Sequence, residues 1–502
     1  MDGENGVPER DQRRWKSSVS FSLVFALILG VASGHSGERR QERQSFQGGK
    51  TVAQSTGNAL SSDHSPPFIP PAGMVIEESP TGQVIALDEA YQLALANEEQ
   101  IKIAERELLK AQLLPWRAVA LLTPRGDITG IYTRNKEEIS FVRTTPDLPA
   151  DNPIGISTST IRPLNQWQGL FAVTQPLLQP AFPPTWRLGK DSVKQNKEQY
   201  DLTIREVLFG VAQAYYSVLR AQAQVAVARD TLRLAQDELK QAQARFRVGE
   251  VTKTDVLRAE VAVARAERAL IDTRNALQLN FTVLARAIGI REPLGVIEPP
   301  ALSYAGAAYE QLLEKAYAQR QDLRAQVFAV DMARQRKNQV VARYFPQVSA
   351  QFQFPRINNA TFANPDEFWT LQVIFQVPIF DGGMREIDLQ EQNENMIQAQ
   401  LQVDRLRKDI GVDVKTALLT IETLGANLET LNKEVALAQE NYDITSKQYR
   451  VGLATSLDVN TSLNALNQVR TQLIDQTYAY QIALLGLDRA VGVFAQDYLP
   501  QR

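Results

Sequence analysis

Two short spacings mark where chemistry would have to begin. Asp255 follows Thr252 by three positions, and Asp458 follows Thr455 by the same three. This is the spacing of a helix N-cap, in which the hydroxyl takes the N3 amide and the N3 carboxylate answers the cap. Such a pair starts a helix and turns over nothing. The rest of the inventory is as sparing. The chain has no cysteine, which excludes disulfides, thiolate metal sites and thiol nucleophiles. Its two histidines, His35 and His64, fall in a leader and tether, so imidazole is missing from any folded site. No Gly-rich phosphate loop, Gly-x-Ser-x-Gly or His-Glu-x-x-His occurs. The sequence predicts no enzyme, no cofactor and no metal. With Lys+Arg 54 against Asp+Glu 57, it offers no basic surface for nucleic acid either.

Those two aspartates belong to a longer duplicated phrase. Phe246-Arg247-Val248-Gly249-x-x-Thr252-x-x-Asp255-Val256 returns 203 residues later as Tyr449-Arg450-Val451-Gly452-x-x-Thr455-x-x-Asp458-Val459. Upstream of the first copy an apolar ladder steps three, four, three, four from Ile204 through Val211, Val218 and Val225 to Phe246. The second ladder climbs likewise from Ile410 through Ile421 and Val435 to Tyr449. A sustained 3.5-residue spacing is a coiled-coil seam. Downstream, Val256, Ala259, Val263, Ala266, Leu270 and Leu277 begin a returning helix, matched by Val459, Ser462, Leu466, Val469, Leu473 and Tyr480. Gly249 and Gly452 supply the positive φ that ends the outgoing helix. Each copy therefore specifies an antiparallel helical hairpin with a tight tip. An outgoing helix from near Lys190 to Phe246 would be roughly 80 Å long.

Before each hairpin the period changes from 3.5 to two. Val348 to Phe354 alternates, and Trp369, Leu371, Val373, Phe375 and Val377 share one face of a run whose other face carries Thr370, Gln372 and Gln376. Asn358 to Pro365 connects the two. The equivalent region of the first copy offers Asp127–Thr133 and Gly169–Gln175. Strands of about ten residues, oily on one side and polar on the other, suit a water-filled membrane barrel; a soluble sandwich is the alternative. Four strands cannot close such a barrel, so the chain must oligomerise, and three copies would give twelve. Shorter helical stretches, Ala86–Gln112 and Tyr309–Arg334, break at Asn97 and at Gln319-Arg320.

The organisation read from these patterns is a signal peptide over 1–34, a disordered tether over 35–80, repeat 1 over 81–290, repeat 2 over 291–495 and a tail over 496–502. The leader combines Arg10, Arg13, Arg14 and Lys16 with the apolar run Phe21–Val31, which is too short to span a bilayer core. The tether is rich in Gly, Ser, Gln and Pro.

This order, with the two Arg-Val-Gly tips and the run Pro378-Ile379-Phe380-Asp381-Gly382-Gly383, resembles the TolC-like outer membrane efflux protein family over about residues 80 to 495. The resemblance implies a mainly α protein with a β-barrel portion: a homotrimer whose twelve-stranded barrel sits in the outer membrane on an α-helical barrel in the periplasm. It implies an exit duct of a tripartite efflux or type I secretion system, completed by a periplasmic adaptor (a membrane fusion protein) and an inner-membrane pump. The adaptor would dock on the tips, at Arg247, Val248, Gly249, Arg450, Val451, Gly452 and Leu453, with Glu250 departing from the usual small or apolar residue. Asp458 matches an aspartate that rings the closed aperture. Thr461 stands where the family pattern has a second aspartate, and Ala454 where it has an arginine, so closure would rest on packing around Tyr449 and Leu453, with Asp255 as a further gate candidate. A periplasmic coiled-coil adaptor or structural protein of an export machine is the alternative reading.

Overall fold

The computed structural model describes residues 84–145, 155–291, 294–304, 306–358 and 368–499. The expected leader, tether, His35, His64, most of the Asn358–Pro365 connection and the last residues of the tail lie outside the described residues. Among the described residues no helix is long and apolar enough to cross a membrane.

The chain begins with β1 (Val84–Ile85), α1 (Leu87–Asn97), α2 (Glu99–Ala111) and α3 (Leu114–Val119). Glu98 breaks α1 from α2 with an extended backbone, one residue past the expected Asn97. Strands β2 (Arg125–Arg134), β3 (Ile139–Thr145), β4 (Gly155–Arg162) and β5 (Asn165–Leu178) follow. Then come α4 (Phe182–Arg247), α5 (Lys253–Ala287) and β6 (Gly295–Val296). The second half runs α6 (Tyr309–Gln319), α7 (Gln321–Ala342), β7 (Gln347–Ile357), β8 (Thr370–Gln376), α8 (Met384–Arg450) and α9 (Ser456–Val491). Arg320 divides α6 from α7, within the break expected from the sequence.

Helix α4 starts eight residues before the expected Lys190. Pro183 and Pro184 occupy its first turn, where an amide has no helical partner to lose. At 66 residues it is about 100 Å long. The ladder residues Ile204, Val211, Val218, Val225, Ala235 and Ala242 are buried, as are Val256, Ala259, Leu270 and Leu277 of the returning helix. In the second hairpin Ile410, Val414 and Ile421 pack with Leu484, Leu487 and Val491, and Tyr442 packs with Val459 and Leu466 nearer the tip, in the same role. Helix α7 packs against both α4 and α8. The largest apolar cluster centres on Tyr215, whose hydroxyl donates to the carbonyls of Ile85 at 2.9 Å and Ile297 at 2.5 Å. It thereby ties the short parallel pair of β1 and β6 to α4.

The main sheet has the order β2-β5-β7-β8, antiparallel throughout. Its register sorts the side chains by chemistry. Ile128 pairs with Phe171, which pairs with Phe354; Val173 pairs with Phe352, which pairs with Leu371; Val348 pairs with Phe375. The opposite face is mainly polar, carrying Thr129, Gln168, Thr174, Gln351, Gln353, Gln372 and Gln376 with Ile131, Leu170 and Ile374 among them. Ile128, Leu371, Val373 and Phe375 are all exposed. Tyr132 and Trp167 lie 4.8 Å apart at one end of this face. Two features depart from the sequence reading. Strand β8 has seven residues, not ten, because Val377 and Pro378 already leave the ladder. Strands β3 and β4 form a separate hairpin beyond β2 and β5, built from Ser/Thr-rich alternation with too little apolar contrast to be seen.

Candidate functional site

The two tips share a hydrogen-bond pattern. At the first, Gly249 at φ +79 lets its own amide reach the Phe246 carbonyl at 3.0 Å and the Glu250 amide reach that of Arg245 at 2.9 Å. At the second, Gly452 at φ +82 bonds Tyr449 at 3.1 Å, and Leu453 bonds Gln448 at 2.8 Å. These close the last helical carbonyls with a left-handed residue that a side chain would strain. Two residues on, Thr252 and Thr455 cap the returning helices. Each accepts an amide from its aspartate at 3.3 Å and donates its hydroxyl back to the carboxylate at 2.7 Å. The expected capping boxes are therefore both present.

The site residues divide by exposure. Val248 and Val451 are each 71 % exposed and Leu453 is 80 % exposed; Arg247, Gly249, Arg450 and Gly452 are exposed beside them. Tyr449 is buried at 4 %. The structure thus separates Tyr449 from Leu453, which sequence reasoning had grouped. Asp458 is bonded to its own Thr455, whose hydroxyl and amide hold its carboxyl below the usual range. Thr461, one turn on, donates its hydroxyl to the Leu457 carbonyl at 2.8 Å. Asp255 instead faces the other hairpin and accepts a bond from Ser456 Oγ at 2.8 Å. Hydrogen bonds from Thr252 and Ser456 lower its pKa.

Two residues that the sequence did not single out join the tips. Arg245 of α4 bonds the Tyr449 carbonyl, lies 5.0 Å over the Tyr449 ring and pairs with Glu250 Oε2 at 3.0 Å. Seven residues earlier, buried Glu238 accepts from Tyr442 of α8 at 3.2 Å, and burial pushes its carboxyl up to about 7. Their heptad spacing could have placed them on one face, but neither apolar pattern nor motif marks a charged residue as turned inward. Higher on α4 the contacts between hairpins are again polar: Thr231 with Asn467, Asp230 with Arg470 and Gln224 with Asp475. Each hairpin is thus apolar inside, and these polar pairs interrupt a seam with the other hairpin that is apolar elsewhere, as where the rings of Tyr216 and Tyr478 lie 6.4 Å apart. Among the described residues no cluster could hold a metal ion.

A sheet with an oily face and, among the described residues, two open edges, feeding helical hairpins whose outgoing arms are about 100 Å long, has the form of a channel-forming envelope protein. The description "Outer membrane efflux protein" belongs to the family model that matches residues 90–290 and 312–493, and the chain belongs to that family. It is 24 % identical over 321 residues to the outer membrane protein TolC of Vibrio cholerae serotype O1, covering 62 % of this chain and 73 % of that one. It is also 24 % identical over 388 residues to the outer membrane efflux protein BepC of Brucella suis biovar 1, covering 76 % and 80 %. The crystal structure of CusC, whose title refers to transmembrane channel formation, matches with a TM-score of 0.67 at 17 % identity over 81 % of this chain and 92 % of that chain. The protein is an exit duct for efflux in the outer membrane, in a family of channels and not of enzymes. That decides against the soluble adaptor reading.

Proposed function

We propose that three copies close one twelve-stranded barrel in the outer membrane, standing on a periplasmic tube of α4, α5, α8 and α9 and their symmetry mates. One observation carries this: a four-stranded sheet with an exposed apolar face leaves both β2 and β8 unpaired, and an unpaired edge cannot face lipid. On this reading residues 81–290 and 291–495 are two versions of one unit.

The tips then face a periplasmic adaptor and, behind it, an inner-membrane pump. Val248, Val451 and Leu453 are the exposed apolar residues there, beside Arg247, Gly249, Arg450 and Gly452. In a threefold assembly the three Asp458 carboxylates converge, and the Thr455 bonds that favour ionisation keep the field negative at the aperture. Asp255, Tyr449 and Arg245 act between hairpins, and Thr461 adds no charge. The substitution Asp458→Asn in protein reconstituted in planar bilayers tests the gate: reduced cation preference supports it, and unchanged selectivity refutes it. The mass of the detergent-solubilised protein tests the assembly, and any stoichiometry other than three refutes it.

A further inference from the structure

The loop between β8 and α8 holds two large apolar residues out in the open. Ile379 is 91 % exposed and Phe380 is 83 % exposed. Loops that display such residues loosely are common, but this one is clasped. Arg385, itself buried at 6 %, sends Nη1 to the Pro378 carbonyl at 2.9 Å, Nη2 to the Ile379 carbonyl at 3.3 Å and Nε to Asp381 Oδ2 at 2.8 Å. Its guanidinium lies 4.7 Å over the Tyr344 ring, whose hydroxyl bonds Glu386 at 3.0 Å. Gly382 and Gly383, at φ +76 and +85, make the reversal that no other residue takes without strain. A buried guanidinium bonded to two carbonyls and a carboxylate fixes the loop before anything touches its tip.

Topology says what lies opposite. Strand β8 is an edge, and its free side runs into this loop; β2 is the other edge, and the chain enters it from α3. When β8 of one copy pairs antiparallel with β2 of the next, the end of β8 comes level with the start of β2. The Ile379–Phe380 knob is then set against the neighbour's segment from α3 to β2. That segment presents Trp116, 70 % exposed, and half-buried Leu121 and Leu122.

We propose that Ile379 and Phe380 are a preformed plug that seats on the Trp116–Leu122 segment of a second copy, locking neighbouring subunits together at the base of the sheet. This rests on the threefold assembly proposed above. The occupant is a second copy because, among the described residues, β8 is the sheet edge that runs into the knob, and its partner in the closed barrel is the β2 edge of the next copy, which the Trp116–Leu122 segment enters.

The chain contains no cysteine, so paired thiols report on this contact without background. The variants Phe380→Cys/Trp116→Cys and Phe380→Cys/Leu121→Cys, purified in detergent and oxidised, should yield covalent species of two and three chains on a denaturing gel. Each single variant should not. Adding Arg385→Gln should lower the yield severalfold while the trimer persists, because the loop is no longer held. Trimers of normal mass that remain single chains in both double variants would overturn the seat and leave the assembly standing. Monomers throughout would overturn the assembly first and the seat with it. Phe380→Trp strongly quenched by brominated lipid in vesicles would place the knob in acyl chains and overturn the seat as well.

Discussion

Exchanging Glu238 for glutamine should make the protein more stable, and only at the alkaline end. The carboxyl is buried at 7 %, and a single donor, the Tyr442 hydroxyl, reaches it at 3.2 Å. Burial raises the carboxyl from 4.5 to about 7. In the unfolded chain the proton leaves near 4.5, whereas the folded chain keeps it until about 7. Stability is therefore full below the lower value, falls as the pH climbs between the two and is flat above the higher. A shift of that size corresponds to about 3 kcal/mol at most. Glutamine keeps an acceptor for Tyr442 and carries no charge. Denaturant midpoints followed by circular dichroism at about pH 5 and about pH 8 read the difference. The wild-type midpoint should drop between the two, and the Glu238→Gln midpoint should drop less and lie higher at the alkaline pH. Parallel shifts in the two proteins would refute a buried, neutral Glu238.

Arg245→Ala removes the bond to the Tyr449 carbonyl, the ring contact and the Glu250 pair; single-channel conductance should rise, and an unchanged conductance would deny Arg245 a part in closure. Gly452→Pro cannot adopt φ +82 and has no amide for the Tyr449 carbonyl. Adaptor-dependent export should be lost with trimers intact, and export at the normal rate counts against docking at this tip. Tyr215→Phe leaves the Ile85 and Ile297 carbonyls without their shared donor. It should cost about 1–3 kcal/mol in a denaturation experiment, and a change near zero would show that water replaces the hydroxyl.

The helical half was legible because it repeats a steric rule. Ile204 to Ala242 and Ile410 to Tyr449 bury side chains at the spacing that the sequence displays, and Thr252, Gly249 and their counterparts end and start helices by local bonds alone. Partnerships across the seam were not legible. Phe246 and Tyr449 hold the same position in the duplicated phrase, yet Phe246 is 42 % exposed and Tyr449 is 4 % exposed. Only the packing of one hairpin on the other distinguishes them. Arg245 reads as one more surface cation, and Asp255 and Asp458 read alike, until the second hairpin supplies Tyr449 for the first and Ser456 for the second member of that list. The β3–β4 hairpin escaped because serine and threonine alternate without a hydrophobic contrast.

Helix α4 is unbroken from the end of the sheet to the tip, so it behaves as a lever. A rotation of roughly 3° about its membrane end moves a point about 100 Å away by about 5 Å, more than the length of any hydrogen bond that joins the tips. Angular play at the sheet too small to disturb a single strand pair is large enough to break the contacts that Arg245 makes with Tyr449 and Asp255 makes with Ser456 across the two hairpins.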